Sequence, residues 1–151
     1  MPRPVHLTCT VTTTHSPQEI ADIFLDLDKW TLFTGYGILP GIKSASFNTQ
    51  TPEIVGSVIA VICTDNSTHT EEIVNWNIPH SYQLKLANFS RPLSFFATHF
   101  DEKIYFETED STTLITRTMD LHPRSFIAYP LLWLIRPLMH KAIIRSHEAI
   151  N

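Results

Sequence analysis

Several groups of side chains in this chain have types and spacings suited to chemistry. His69 and Glu71 lie two apart in the run His69-Thr70-Glu71-Glu72-Ile73-Val74-Asn75-Trp76, so in an extended segment they share a face. An imidazole beside a carboxylate suits proton transfer to and from a bound ligand. If Ile73 faces the core, His69 and Glu71 face it too; if Val74 does, Thr70, Glu72 and Trp76 do. The simpler alternative is a pair of exposed polar residues on an edge strand. Glu102 and Arg117 form a second group. Period two from Ile104 and Phe106, and from Ile115 and Met119, points both charges inward, and a turn at Glu109 to Ser111 sets them roughly opposite. They read either as a structural salt bridge near the wet end of a sheet or as groups that orient a polar part of a ligand. A lone internal charge would be costly. Tyr36 and Tyr82 offer phenols that could bond a ligand carbonyl, and equally fit core aromatics with a polar tip. Phe96, Phe100, Trp133 and Met139 supply apolar bulk, as core filling or as pocket wall.

Other patterns point away from specific chemistries. His99-Phe100-Asp101 puts two metal-ligand types on one strand face, but no third ligand stands at compatible spacing, so no metal is expected. His140 and His147 are seven apart on a helix face without an HExxH, and read as solvated. No GxSxG elbow and no Cys/His arrangement argues for a nucleophile. Cys9 and Cys63 lie in apolar strands, where thiols are usually inert, and read as small buried hydrophobes of a reducing compartment. Thr34-Gly35-Tyr36-Gly37-Ile38-Leu39-Pro40-Gly41 holds three of the four glycines, but no Lys-Ser/Thr follows, which rejects a phosphate loop. No cofactor is expected.

The elements that must position these groups are legible. Val5, Leu7, Cys9 and Val11 alternate with polar residues as a half-buried strand. Ser16-Pro17-Gln18-Glu19 starts a helix with a cap, a proline at the first position and a capping box. Ile20, Ile23, Phe24, Leu27 and Trp30 give it one apolar face, and a second short turn covers Lys29 to Phe33. Strands are predicted near 42–48, 56–64, 69–76, 81–89, 95–108 and 112–121, separated by short turns, which implies an antiparallel meander. A helix follows from Phe126 to Ile150. Pro123 or Ser125 opens it, or Pro130 marks its true start, and Pro137 should kink it. Such a sheet cannot bury its apolar face alone, and only the long helix is large enough to cover it. The expected fold is α+β: a seven-stranded curved antiparallel sheet wrapped around a long C-terminal helix, with two short helices after the first strand, as one domain over 1–151.

Composition agrees. Apolar residues make up 43% and charged residues 17% of the 151, which is too apolar for disorder. A net charge of −4 argues against nucleic acid as a partner. His122 to His147 contains four basic residues and no acid. The apolar run Phe126 to Ile135 is about half of the ~20 residues a bilayer span needs, so no stable membrane insertion is expected. No N-terminal leader pattern is visible, and the expected location is the cytoplasm, as monomer or homodimer.

This order, with Ser16-Pro17-Gln18-Glu19, Gly35 to Ile42, Val74-Asn75-Trp76-Asn77-Ile78-Pro79 and Thr113 to Met119, resembles the START-like helix-grip superfamily, in particular its polyketide cyclase/dehydrase-like (SRPBCC) branch. The resemblance covers nearly the whole chain, and the order is more specific than any one motif. It implies a deep apolar cavity between sheet and helix, and an inward aliphatic at Ile73. It does not imply one activity. The expected function is binding of a small hydrophobic, lipid-like or polyketide-like ligand. The alternative is a cofactor-free cyclase, aromatase or dehydratase. Tyr36, His69, Glu71, Tyr82, Phe96, Phe100, Glu102, Arg117, Trp133 and Met139 are the candidate site residues. A cavity of roughly 300–1,000 Å³ should lie under the C-terminal helix.

Overall fold

The computed structural model describes residues 2–150; the outermost residues of the 1–151 assignment lie outside them. The elements run β1 (Val5–Thr13), α1 (Pro17–Leu25), a 3-10 helix (Leu27–Leu32), β2 (Ile42–Thr49), β3 (Val58–Cys63), β4 (Thr68–Asn77), β5 (Ser81–Ala87), β6 (Ala97–Glu109), β7 (Thr112–Pro123) and α2 (Tyr129–Ile150). Short 3-10 turns at Leu93–Phe95 and Phe126–Ala128 precede β6 and α2. The seven strands form one antiparallel sheet in the order β1-β7-β6-β5-β4-β3-β2. This is the expected helix-grip architecture.

Local chemistry sets the boundaries. At Ser16 the side chain accepts from the Glu19 N–H and the Glu19 carboxylate accepts from the Ser16 N–H, so the predicted capping box is complete. The β6–β7 turn is two residues long, with Asp110 at φ 55°. Its register pairs Ile104 with Arg117 and Glu102 with Met119, so the two charges are diagonal neighbours rather than directly opposed.

β4 resolves its parity question through a bulge. Ile73 pairs with Leu84 and Asn75 with Gln83, leaving Val74 as an extra residue that is 40% exposed. Upstream of it Ile73 and Glu71 are buried; downstream Trp76 turns inward against Tyr82. The first sequence alternative, with Ile73 and Glu71 inward, therefore holds up to the bulge; of the second only Trp76 turns in, while Val74 and Glu72 are exposed. β4 lies between β3 and β5, so it is not an edge strand.

α2 runs through Pro137 as one continuous element and begins at Tyr129, with Pro130 second. Its length and composition would suffice to cross a membrane, but it packs on the sheet through Leu132, Ile135, Met139, Ala142, Ile143 and His147. It lies closest to β1 and is fastened there along its length. The Tyr129 hydroxyl donates to the Arg3 carbonyl (2.6 Å), Arg136 Nε to the His6 carbonyl (2.7 Å), and His15 Nε2 to the Ile150 carbonyl (2.8 Å). The core follows the concave face: Leu7, Ile59, Ile73, Ile104, Ile115, Leu121, Leu132 and Ile143 are all nearly solvent-free.

Candidate functional site

Because α2 is fastened over β1, it leaves space above β3 to β7. A cavity of about 380 Å³ fills that space. Its floor comes from inward positions of β3 to β7. Its roof comes from Leu131, Ile135, Met139, Ile143 and Ile150 of α2, and its flanks from α1, the following 3-10 helix, the loop Ile38–Pro40 and the turn Ser90–Leu93. The wall is predominantly apolar, as ligand pockets are.

Of the sequence-predicted residues, His69, Glu71, Tyr82, Phe96, Phe100, Glu102, Arg117 and Met139 reach the cavity wall. Tyr36 and Trp133 do not, and both expectations are corrected. Trp133 is 55% exposed, one residue past the inward Leu132, so the helical turn carries it to the outer face beneath Arg136. Tyr36 is held by a two-way backbone bridge to Leu39, which turns its ring outward against Lys141. Gly35 makes this hairpin possible: its φ is +74°, and a Cβ there would overlap the Leu39 carbonyl oxygen.

Two polar groups interrupt the apolar wall. In the first, Arg117 donates from Nη2 (2.6 Å) and Nε (3.1 Å) to Glu102 Oε2. Glu102 is 3% exposed. Burial raises its carboxyl, with Arg117 offsetting part of the effect; in Arg117 burial works against the charge, but the attraction and hydrogen bond of Glu102, with the neighbouring Tyr82 and Cys9, together carry the pKa up. Arg117 Nη1 also lies 3.2 Å from His147 Nε2. Burial and the neighbouring guanidinium lower His147 to about 3, so the ring is neutral and Nε2 accepts. The expectation that His147 is solvated is thus overturned. It continues the inward stripe Leu132, Ile135, Met139, Ile143, whose three- and four-residue steps lead to position 147, whereas His140 falls one residue past Met139 and is exposed.

In the second group, His69 Nε2 lies 3.0 Å from Glu71 Oε2, with side chains 14% and 9% exposed. Its Nδ1 lies 4.0 Å from Cys63 Sγ. Burial works against a charged imidazole, but the bonds to Cys63 and Glu71 outweigh it and raise His69 to about 9. The Phe89 ring lies against the imidazole (5.9 Å between centroids). Contrary to the sequence reading, a Cys/His arrangement therefore exists. It was hidden because residues six apart meet only through the β3–β4 turn. Tyr82 packs among Phe24, Trp76 and Phe106, and its hydroxyl has no hydrogen-bond partner among the described residues. Burial raises this phenol strongly, so it is a neutral donor facing the cavity.

On the convex face, β7 supplies the third ligand that the sequence did not reveal: His99, Asp101 and His122 bring their ligand atoms within 4.8 Å of one another. The imidazoles stack (4.1 Å), and both approach Asp101 Oδ2. The register shift between Ala97 and His99 is what aligns them, and it cannot be read from spacing. This cluster is outside the cavity.

The fold is that of START-like, SRPBCC-type helix-grip proteins. Among similar solved structures, the major latex-like protein 151 of Panax ginseng superposes with a TM-score of 0.74 at 15% identity, covering 99% of this chain and 96% of that one. The Zhui aromatase/cyclase of a Streptomyces species gives 0.73 at 12%, covering 97% and 91%. A START superfamily protein of Mycobacterium smegmatis gives 0.69 at 11%, covering 96% and 93%. No protein-family model matches the chain, and no curated protein matches it in sequence. At these identities the likeness is one of fold.

Proposed function

We propose that the protein binds a small, mostly apolar molecule carrying a hydrogen-bond acceptor, held between the sheet and α2. The observation that supports this best is the 380 Å³ apolar cavity with the unpartnered Tyr82 hydroxyl on its wall. An interior that only had to be stable would close such a space, since empty volume costs about 24 cal/mol per Å³. Tyr82 would donate to the ligand's acceptor, while the Glu102–Arg117–His147 group holds that part of the wall rigid. We place this activity in a soluble, cytoplasmic protein, as monomer or homodimer.

Displacement of an anilinonaphthalene fluorophore, with native mass spectrometry for a co-purified molecule, tests the reading. Binding should weaken when Met139→Trp fills the cavity and when Tyr82→Phe removes the donor. A chain that takes up no fluorophore and carries no molecule would refute it. The enclosed His69–Glu71 pair favours a second reading, a cofactor-free cyclase or dehydratase in the same cavity. There His69 would shuttle a proton on an enolisable ligand. Deuterium exchange into a bound 1,3-diketone, lost in His69→Gln, is its signature.

A further inference from the structure

The wall of this cavity brings a thiol, an imidazole and a carboxylate together. Cys63 ends β3, is 7% exposed and faces the cavity. The β3–β4 pairing sets Val61 opposite His69 and Ile59 opposite Glu71, so Cys63, His69 and Glu71 share the concave face. Glu71 takes the Nε2–H of His69 at 3.0 Å, which fixes the ring and directs Nδ1 at Cys63 Sγ, 4.0 Å away. The imidazole is confined between this carboxylate and the Phe89 ring. Cys9 differs on each count: it is absent from the cavity wall, its sulfur points to the His140 carbonyl oxygen (4.0 Å) rather than to an imidazole, and burial raises its thiol to about 11.

We propose that Cys63, His69 and Glu71 form a nucleophilic centre that captures apolar α,β-unsaturated carbonyl ligands by reversible conjugate addition. This rests on the cavity reading above and names a ligand class for it. In the addition the thiol passes its proton to Nδ1 of His69, 4.0 Å away, and Sγ attacks as the thiolate. The sulfur lone pair forms the bond to the β-carbon. The C=C π pair shifts to give the enolate. Nδ1–H then returns the proton to the α-carbon. The net change is addition of S–H across C=C, with no oxidant and no leaving group. Acyl transfer fits less well, because a tetrahedral oxyanion needs free backbone donors near the nucleophile. Here the Cys63 and Thr64 N–H groups are already committed to the Ser67 and Gly41 carbonyls at 2.8 and 2.9 Å. An enolate spreads its charge and needs only the proton that His69 supplies.

The test incubates the full chain with cinnamaldehyde, reduces the adduct with borohydride to lock it, and maps it by intact-mass and peptide mass spectrometry. Its saturated analogue, hydrocinnamaldehyde, cannot add, and reports binding alone by displacing the fluorophore. One adduct on Cys63, with Cys9 unmodified in the native wild-type chain, is the expected result. His69→Gln should slow adduct formation by about 100-fold, the low end for a positioned base, and by more than it weakens hydrocinnamaldehyde. Glu71→Gln should slow it less. Hydrocinnamaldehyde that binds while Cys63 stays unmodified, or Cys9 labelled as fast as Cys63, overturns the nucleophile and leaves the binding reading standing. Equal rates in wild type and His69→Gln also overturn it. Failure of both fluorophore and hydrocinnamaldehyde to bind would remove the cavity reading itself.

Discussion

Replacing Arg117 by Met should be among the most damaging single changes in the chain, and more damaging than removing its partner as well. Glu102 is 3% exposed and, among the described residues, its one ion-pair partner is Arg117, at 2.6 Å. Arg117→Met leaves that carboxylate buried and alone, which costs about 3–5 kcal/mol. Arg117→Met with Glu102→Leu removes the stranded charge. What then remains is His147 without its donor, a loss of about 1–3 kcal/mol, offset by the added apolar volume. The double variant should therefore be the more stable of the two, with a coupling of about 2–3 kcal/mol between the sites. Urea denaturation of wild type, both single variants and the double variant at neutral pH, followed by tryptophan fluorescence, measures it. The penalty for Arg117→Met should also shrink in mild acid, where a lone buried Glu102 takes up a proton. Strictly additive losses would show that the pair does not interact and that the account of this wall is wrong.

Acid should act through His147. Its folded pKa, about 3, lies below the ordinary 6.5, so between those values the unfolded chain holds a proton that the folded chain refuses, and stability falls as pH falls. The loss is on the order of 2–3 kcal/mol by pH 4.5, at about 1.4 kcal/mol per pH unit; His147→Leu should flatten that slope in denaturation curves taken across the window. Gly35→Ala forces a side chain into the Leu39 carbonyl at φ +74°, and should lower stability by more than the ~1 kcal/mol of an unstrained exchange, read as a fall in Tm. Ser16→Ala removes the cap of α1 and should cost about 1 kcal/mol by urea denaturation, with no change in fluorophore affinity.

Alternation and capping carried most of the fold. The parity of β6 and β7 followed from Ile104, Phe106, Ile115 and Met119, all of which are buried. What spacing could not supply was register. The bulge at Val74 switches the inward face in mid-strand, the shift beside His99 brings His122 to Asp101, and the turn after Cys63 folds it back onto His69. Each joins residues whose separation in the chain carries no periodic signal. His147 is a different case, because its signal was present: it continues the apolar stripe of α2, and its polarity disguised it. Trp133 shows the converse, a large apolar side chain whose helical phase puts it outside.

The fastening of α2 along the first strand bears on how the molecule avoids its own copies. An open sheet has two unpaired borders, and such borders recruit further strands. On one of them the His6 carbonyl already accepts from Arg136, and the helix lies alongside. On the other, β2 is interrupted by register shifts near both of its ends, which spoil a straight template. The tail that roofs the interior therefore also guards a margin, and trimming it back past Arg136 should yield a protein that aggregates through exposed backbone as well as one that has lost its roof.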